Sequence, residues 1–332
     1  LFKSLPGHIT FNMNQSVTEH KGVQFFTVES GVEGQRLDNF LVSRLKGVPK
    51  SRIYRLIRKG EIRVNKKRCK PDRKLVQGDS VRVAPLRMSE KVPPPLVTEG
   101  LEALIRDSIL YEDDSLLVIN KPAGLAVHAG TGVRLGLIEA LRQIYPQLQD
   151  VELVHRLDKD TSGCLLVART PAVLKTLQDA LRQRTVEKVY LALVQGEWPE
   201  EITEVRAALQ RDELRGGERV VSVDPRGKAA VTRYCVLERL RDATLIEARP
   251  VSGRTHQIRV HCRHAGHPIL GDNKYLDTAK NRFPQIRHLC LHAASISFEL
   301  PDETGNVQKM AFSAPMNSKM ADYVEKLRVS GI

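Results

Sequence analysis

The sequence predicts an α+β fold in two unequal domains, and three observations carry that prediction. Residues 34–92 open with apolar positions at helical spacing and close with short alternating strands, whereas residues 108–332 are dominated by strand-like apolar runs with separate helical stretches between them. Between the two stands Pro93-Pro94-Pro95, which can neither continue a helix nor occupy a central strand, so residues 93–107 read as a linker. Size agrees: 332 residues, 41% of them hydrophobic, suffice for one large core and one small one.

Residues 1–33 read as a disordered extension. Their first part has neither a basic n-region nor an apolar h-region, so no secretory signal is expected there, and Met13 is the expected start. Leu37, Phe40, Leu41 and Leu45 then share one helical face, with Asp38 in the first turn where the helix dipole favours an anion. A second helix opens at Lys50 or Ser51, turns Ile53, Leu56 and Ile57 inward and Arg52, Arg55, Arg58 and Lys59 outward, and ends at Gly60. Residues 61–65 alternate as a strand, Lys66-Lys67 makes a turn, and Gly78-Asp79 precedes a strand over 80–83.

The charge is concentrated on this segment. Residues 34–92 carry 18 Lys or Arg against 5 Asp or Glu, and the rest of the chain carries 34 of each, so the whole formal charge of +13 resides there. A cationic module on a neutral body fits a polyanion partner, since charge serving solubility alone would be spread more evenly. On charge alone, DNA and RNA both stay open as that partner.

In the second domain residues 108–111 and 116–120 read as a hairpin, 135–144 and 172–184 as helices, 187–194 and 288–298 as strands, and a last helix starts near Ser318. Residues 247–250 end a further strand, and Thr255 is the expected N-cap of a helix reaching about His264, before Gly266. The Gly-rich loop 128–132 lacks the ending of a Walker A sequence and the spacing of a dinucleotide fingerprint, so no nucleotide cofactor is expected. His256, His261, Cys262, His264 and His267 lack the spacings of known zinc sites, so no metal is expected either. No apolar run is long enough to span a membrane. The five cysteines, scattered and odd in number, speak against a disulfide framework and for a reducing cytoplasm.

One stretch breaks this pattern. The apolar run at Leu153-Val154 gives way to His155-Arg156-Leu157-Asp158-Lys159-Asp160-Thr161-Ser162-Gly163 before Cys164 to Ala168 resumes it. Two carboxylates and two long cations between buried strands cost desolvation unless they pair or perform chemistry. A turn whose polar side chains bond their own backbone accounts for Asp160 to Gly163. For Asp158 the choice between such a turn and the mouth of a cleft stays open.

The string from His155 to Gly163 resembles the signature of the RluA-type family of pseudouridine synthases. Asn120-Lys121-Pro122-Ala123-Gly124, the Lys-x-Tyr-x-Ala string at Lys188 to Ala192, and Gly253-Arg254-Thr255-His256-Gln257-Ile258-Arg259-Val260-His261 resemble further strings of that family. Residues 34–92 resemble an S4 RNA-binding domain through Arg36-Leu37-Asp38, Ser51-Arg52-Ile53 and Gly60-Glu61-Ile62-Arg63-Val64-Asn65. The resemblance implies a small S4 (alpha-L) domain followed by a catalytic domain with a mixed, mainly antiparallel sheet. It also implies isomerisation of uridine to pseudouridine without a cofactor, with large-subunit ribosomal RNA or its assembly precursors as partner; the oligomeric state stays open, with a monomer as the default.

The implied roles fall on single residues. Asp158 is the catalytic carboxylate, Arg254 pairs with it, and Tyr190 stacks on the target uracil. Arg156 fills the place that the flipped base vacates, an ion pair with Asp160 being the ordinary alternative. Arg52, Arg55, Arg58, Lys59, Lys66, Lys67 and Arg68 face RNA phosphates. A non-catalytic RNA-binding or ribosome-assembly protein and a nucleic-acid glycosylase are the rival readings.

Overall fold

The computed structural model describes residues 22–45, 48–85, 94–130, 133–147, 151–213, 219–301 and 306–329. The chain divides into two units between Pro93 and Pro94. Among the described residues no helix is long and apolar enough to cross a membrane.

The first unit consists of β1 (Gln24–Thr27), α1 (Leu37–Arg44), α2 (Lys50–Lys59), β2 (Ile62–Val64) and β3 (Ser80–Val83), with antiparallel strand order β1-β3-β2. Its core is the apolar face read from the sequence, with Leu37, Phe40, Leu41, Ile53, Leu56 and Ile57 packed on Ile62, Val64, Val81 and Val83. Gly60 ends α2 in the left-handed region at φ 75°. The buried Asp38 accepts from Arg36 at 2.9 Å and from the Tyr54 hydroxyl at 2.5 Å, and these partners hold its carboxyl well below the usual range. Arg55, Arg58, Lys59, Lys66, Lys67 and Arg68 are exposed, and Arg52 is half-buried.

Two expectations change here. The extension was drawn through residue 33, yet residues 24–27 form β1, which completes the small sheet by pairing with β3 from Gln24↔Val83 to Thr27↔Ser80. Residues 28–33 of it are ordered too, with a short 3-10 helix at Ser30–Val32, while residues 1–21 lie outside the described residues. The basic turn lies one residue earlier than read. Val64 and Lys67 exchange both backbone hydrogen bonds at 3.0 Å, so Asn65 and Lys66 are the central residues, both at positive φ as a two-residue hairpin demands.

The second unit opens with α3 (Glu99–Asp107), inside the stretch expected to be a linker. Thr98 caps it by accepting from the Leu101 N–H at 3.3 Å, Ile105 is fully buried, and Gln143 ties Val97 and Pro95 to the body. The prolines end before Thr98, and Leu101 and Ile105, four residues apart, supply an apolar face that packs on the second unit's own core at Leu117, Ile119 and Leu141. Then follow β4 (Ile109–Glu112), β5 (Leu116–Lys121), α4 (Leu137–Ile144), β6 (Glu152–Leu153), β7 (Ser162–Ala168), α5 (Pro171–Gln183), β8 (Glu187–Gln195) and β9 (Glu204–Arg206). The remainder is β10 (Leu209–Glu213), β11 (Arg219–Val223), β12 (Val231–Leu240), β13 (Ala243–Pro250), α6 (Gln257–His264), β14 (Leu291–Pro301), β15 (Val307–Ser313) and α7 (Ser318–Val329).

Ten of these strands form one sheet in the order β4-β5-β7-β14-β8-β13-β12-β9, with β15 beside β14 and β6 beside β7. Every pairing is antiparallel except β7 with β14, so the sheet is mixed and mainly antiparallel. That parallel junction, His292↔Ser162 and Ala293↔Gly163, comes directly after the charged loop 155–161. Gly163 has φ 109°, and a Cβ on it would collide with the backbone of Ala293. Gly163→Ala is therefore expected to lower stability by about 3 kcal/mol or more, through backbone strain and the lost close approach. A melting temperature equal to that of the wild type would show that the junction tolerates a side chain.

Candidate active site

The loop between β6 and β7 is held from below. Lys121, fully buried at the end of β5, donates to the carbonyls of Pro122 at 2.7 Å, Leu125 at 2.9 Å and Lys159 at 3.0 Å. Burial pushes its amine down to about 7 against the pull of Asp160 and Asp158, while three acceptors match the three N–H bonds of an ammonium. The imidazole of His155 accepts the Leu166 N–H at 3.1 Å through Nε2, and burial pushes it down to about 4, so it is neutral. Ser162 is bound between His292 Nδ1 at 2.9 Å and Asn317 at 2.8 Å, which makes its hydroxyl part of the scaffold. The turn is closed by Thr161 N–H on the Asp158 carbonyl at 3.2 Å. A polar turn and a carboxylate at a cavity are thus both present.

Asp158 meets α6 across the cavity. Arg259 Nη1 lies 3.5 Å and His256 Nε2 3.8 Å from the same oxygen, Oδ2. Oδ1 accepts no hydrogen bond from any described residue. Arg259 is itself aimed by the buried Asp272, with Nε donating to Oδ2 at 2.8 Å and Nη2 to Oδ1 at 2.6 Å, and its guanidinium lies 5.0 Å from the ring centre of Tyr275. The Tyr275 oxygen accepts the Val221 N–H at 3.0 Å and sits 2.6 Å from His256 Nδ1. With the phenol proton directed to Nδ1, His256 carries its own proton on Nε2, facing Asp158. Burial pushes the His256 imidazole down, which favours this neutral form.

Arg259, not Arg254, is therefore the cation set against Asp158. Arg254 is exposed at the rim, where its Nε donates to the Ala229 carbonyl at 3.3 Å. The reason is the start of the helix. α6 begins at Gln257 rather than after a Thr255 cap, with His256 at φ 53° as its N-cap. Arg259 falls in the first turn, where side chains lean back toward the N-terminus and so toward the cleft. The readable signal was a second arginine in the same string, flanked by Ile258 and Val260, both buried. Asp272 and Tyr275 carried no comparable signal, because each acts through a fold contact distant in sequence; Lys121 stood in the Asn-Lys-Pro-Ala-Gly string, but its reach to the Lys159 carbonyl depends on the fold.

Tyr190 stands on β8 between Ala248 of β13 and Ala293 of β14, half-buried. Burial first, and then the Asp158 charge, push its phenol well above the usual range, and the hydroxyl has no hydrogen-bond partner among the described residues. A cavity of about 510 Å³ brings Asp158, Tyr190, His256 and Arg259 together, with Arg156 and Arg254 also on its walls. It is lined by six Lys or Arg side chains and by one carboxylate, Asp158. Arg156 is exposed and forms neither the Asp160 pair nor any other ion pair or hydrogen bond among the described residues. His261, the nearest reason to suspect a metal, is engaged on both nitrogens by Thr232 at 2.9 Å and the Ala207 carbonyl at 3.1 Å.

Comparison with known proteins meets this geometry from the other side. Residues 115–264, which hold the Asp158 loop, Tyr190 and all of α6, match the RNA pseudouridylate synthase family, and residues 35–81 match the S4 domain. The chain is 48% identical over 320 residues to ribosomal large subunit pseudouridine synthase C of Haemophilus ducreyi, covering 95% of this chain and 99% of that protein. It is also 48% identical over 318 residues to the Escherichia coli protein of the same name, covering 94% and 98%. Among solved structures, human RNA pseudouridylate synthase domain containing 4 superposes with a TM-score of 0.55 at 26% identity, over 69% of this chain and 95% of that one. Likeness over nearly the full length of both bacterial proteins, with the family match spanning the lone carboxylate, shows that the chain belongs to the RNA pseudouridylate synthase family.

Proposed function

We propose that this protein isomerises uridines to pseudouridine in large-subunit ribosomal RNA, acting as a monomer in the cytoplasm, with Asp158 as the catalytic carboxylate. The observation that carries the reading is one carboxylate, with one oxygen that has no hydrogen-bond partner among the described residues, beside a tyrosine whose hydroxyl likewise has none, in an otherwise basic cavity. The reaction breaks the N1–C1′ bond, turns the uracil and rejoins it through C5; the proton lost from C5 balances the one gained at N1. A glycosidase places two carboxyl groups across the bond, whereas an enzyme that keeps its leaving group can work with one. Oδ1 of Asp158 is the atom available for attack on the sugar or uracil or for removal of the 2′ proton. Arg259 and His256 hold the other oxygen. Tyr190 stacks on the uracil, and a stacked uridine must be flipped out to reach it, with Arg156 filling the space left in the RNA.

The likeness to large-subunit enzymes over almost the whole chain supports the choice of substrate. The basic first unit grips phosphates through Arg52, Arg55, Arg58, Lys59, Lys66, Lys67 and Arg68, fixing position rather than reading sequence. Replacing Arg55, Arg58 and Lys59 together by Gln is expected to weaken RNA binding and to lower the slope of log affinity against log salt by about 3. An unchanged slope in a filter-binding titration would remove this helix from the RNA grip. The activity itself is tested by tritium release from ribosomal RNA labelled at uracil C5. Release without free uracil is expected, and free uracil would make the protein a glycosylase.

A further inference from the structure

Lys188 lies on β8 two residues before Tyr190, on the same side of the strand, and lines the same cavity. It is half-buried, and it makes no hydrogen bond or ion pair with any described residue. Its Nζ hangs over the turn after β13, 3.9 Å from where a Cβ of Gly253 would stand. The other cations on the walls with no partner among the described residues, Arg156 and Arg184, are exposed. Lys188 is half-buried, and burial alone pushes its ammonium down, with no carboxylate restoring it. The groups around it are neutral or engaged: His155 is bound to Leu166, Tyr190 is a phenol, and Asp158 faces Arg259 and His256. A partly desolvated cation without a counter-charge is costly to keep. It is kept in a cavity that, on the reading above, receives a uridine whose base and sugar are neutral and whose only anions are its phosphates.

We propose that Lys188 binds a phosphate flanking the flipped uridine, forming a phosphodiester subsite beside the stacking tyrosine and apart from the carboxylate. This rests on the reading of the cavity as the uridine pocket. Lys188 is a binding residue here, so its removal acts on KM and on salt dependence before it acts on the chemical step.

The test is tritium release by the full-length protein, with kcat and KM measured at several salt concentrations for wild type, Lys188→Gln and Lys188→Arg. Lys188→Gln is expected to raise KM about tenfold and to lower the salt slope by about 1, with kcat within about threefold, while Lys188→Arg restores the slope. A second measurement does not depend on any variant folding. A neutral methylphosphonate at each phosphate flanking the modified uridine should, at one of the two, weaken the wild type about tenfold; Lys188→Gln should then lose nothing more. Unchanged KM and slope in Lys188→Gln, or methylphosphonates without effect on the wild type, would overturn the proposal. A fall in kcat with an unchanged slope would overturn it too, placing Lys188 on the uracil. Wild-type protein that releases no tritium would instead overturn the isomerase reading together with the subsite.

Discussion

Asp158→Asn is expected to lower isomerisation at least about 10³-fold while leaving RNA affinity within about threefold, a loss of roughly 4 kcal/mol of transition-state stabilisation. The substitution keeps shape and removes the negative charge from the group that, on the proposed function, attacks or accepts a proton. Folding should survive it. Arg259 is held chiefly by Asp272, at 2.6 and 2.8 Å, and only loosely by Asp158, at 3.5 Å, so the variant leaves no buried cation stranded. Affinity should survive it as well, because the other cations lining the cavity, Arg156 and Lys188 among them, are untouched. The check is tritium release beside a binding titration on the same RNA. Turnover by Asp158→Asn near that of the wild type would end its role as the catalytic carboxylate, and loss of binding alone would make it an RNA contact.

How much of this was legible in the sequence follows from how local each contact is. The apolar periodicity of α1 and α2 and the left-handed Gly60 depend on neighbours a few residues apart, and the described structure agrees with the reading there. The break in apolar character around Asp158 was visible as a cost, and the structure shows what offsets it: Lys121 below and α6 opposite. Those partners lie 38 and 101 residues away, which no spacing reveals. β1 was missed because a strand of four residues at a sheet edge carries little pattern before its partner is known. α3 was missed because the prolines ahead of Thr98 outweighed the capping residue after them.

Arg259→Lys is expected to cut kcat about 10²-fold with KM little changed, whereas Arg254→Ala should raise KM and leave kcat within about threefold. The two arginines stand five residues apart in one string, and the sequence alone favoured Arg254. Geometry separates them. Arg259 uses Nε and Nη2 on Asp272, which leaves Nη1 to face Asp158, and a lysine cannot hold both carboxylates in that planar arrangement. Lysine is the informative substitution because it keeps a positive charge beside Asp272, which is only 1% exposed. An apolar residue there would leave that carboxylate buried without a counter-charge, at about 3–5 kcal/mol, and an inactive protein would then report only unfolding. The Arg254 side chain has one carbonyl partner and is exposed, so its contribution is expected in the encounter with RNA rather than at the reacting atoms. Steady-state tritium release resolves the two cases. Near-normal kcat in Arg259→Lys together with loss of kcat in Arg254→Ala would mean that RNA binding draws Arg254 inward to Asp158, in a closed arrangement different from the one described.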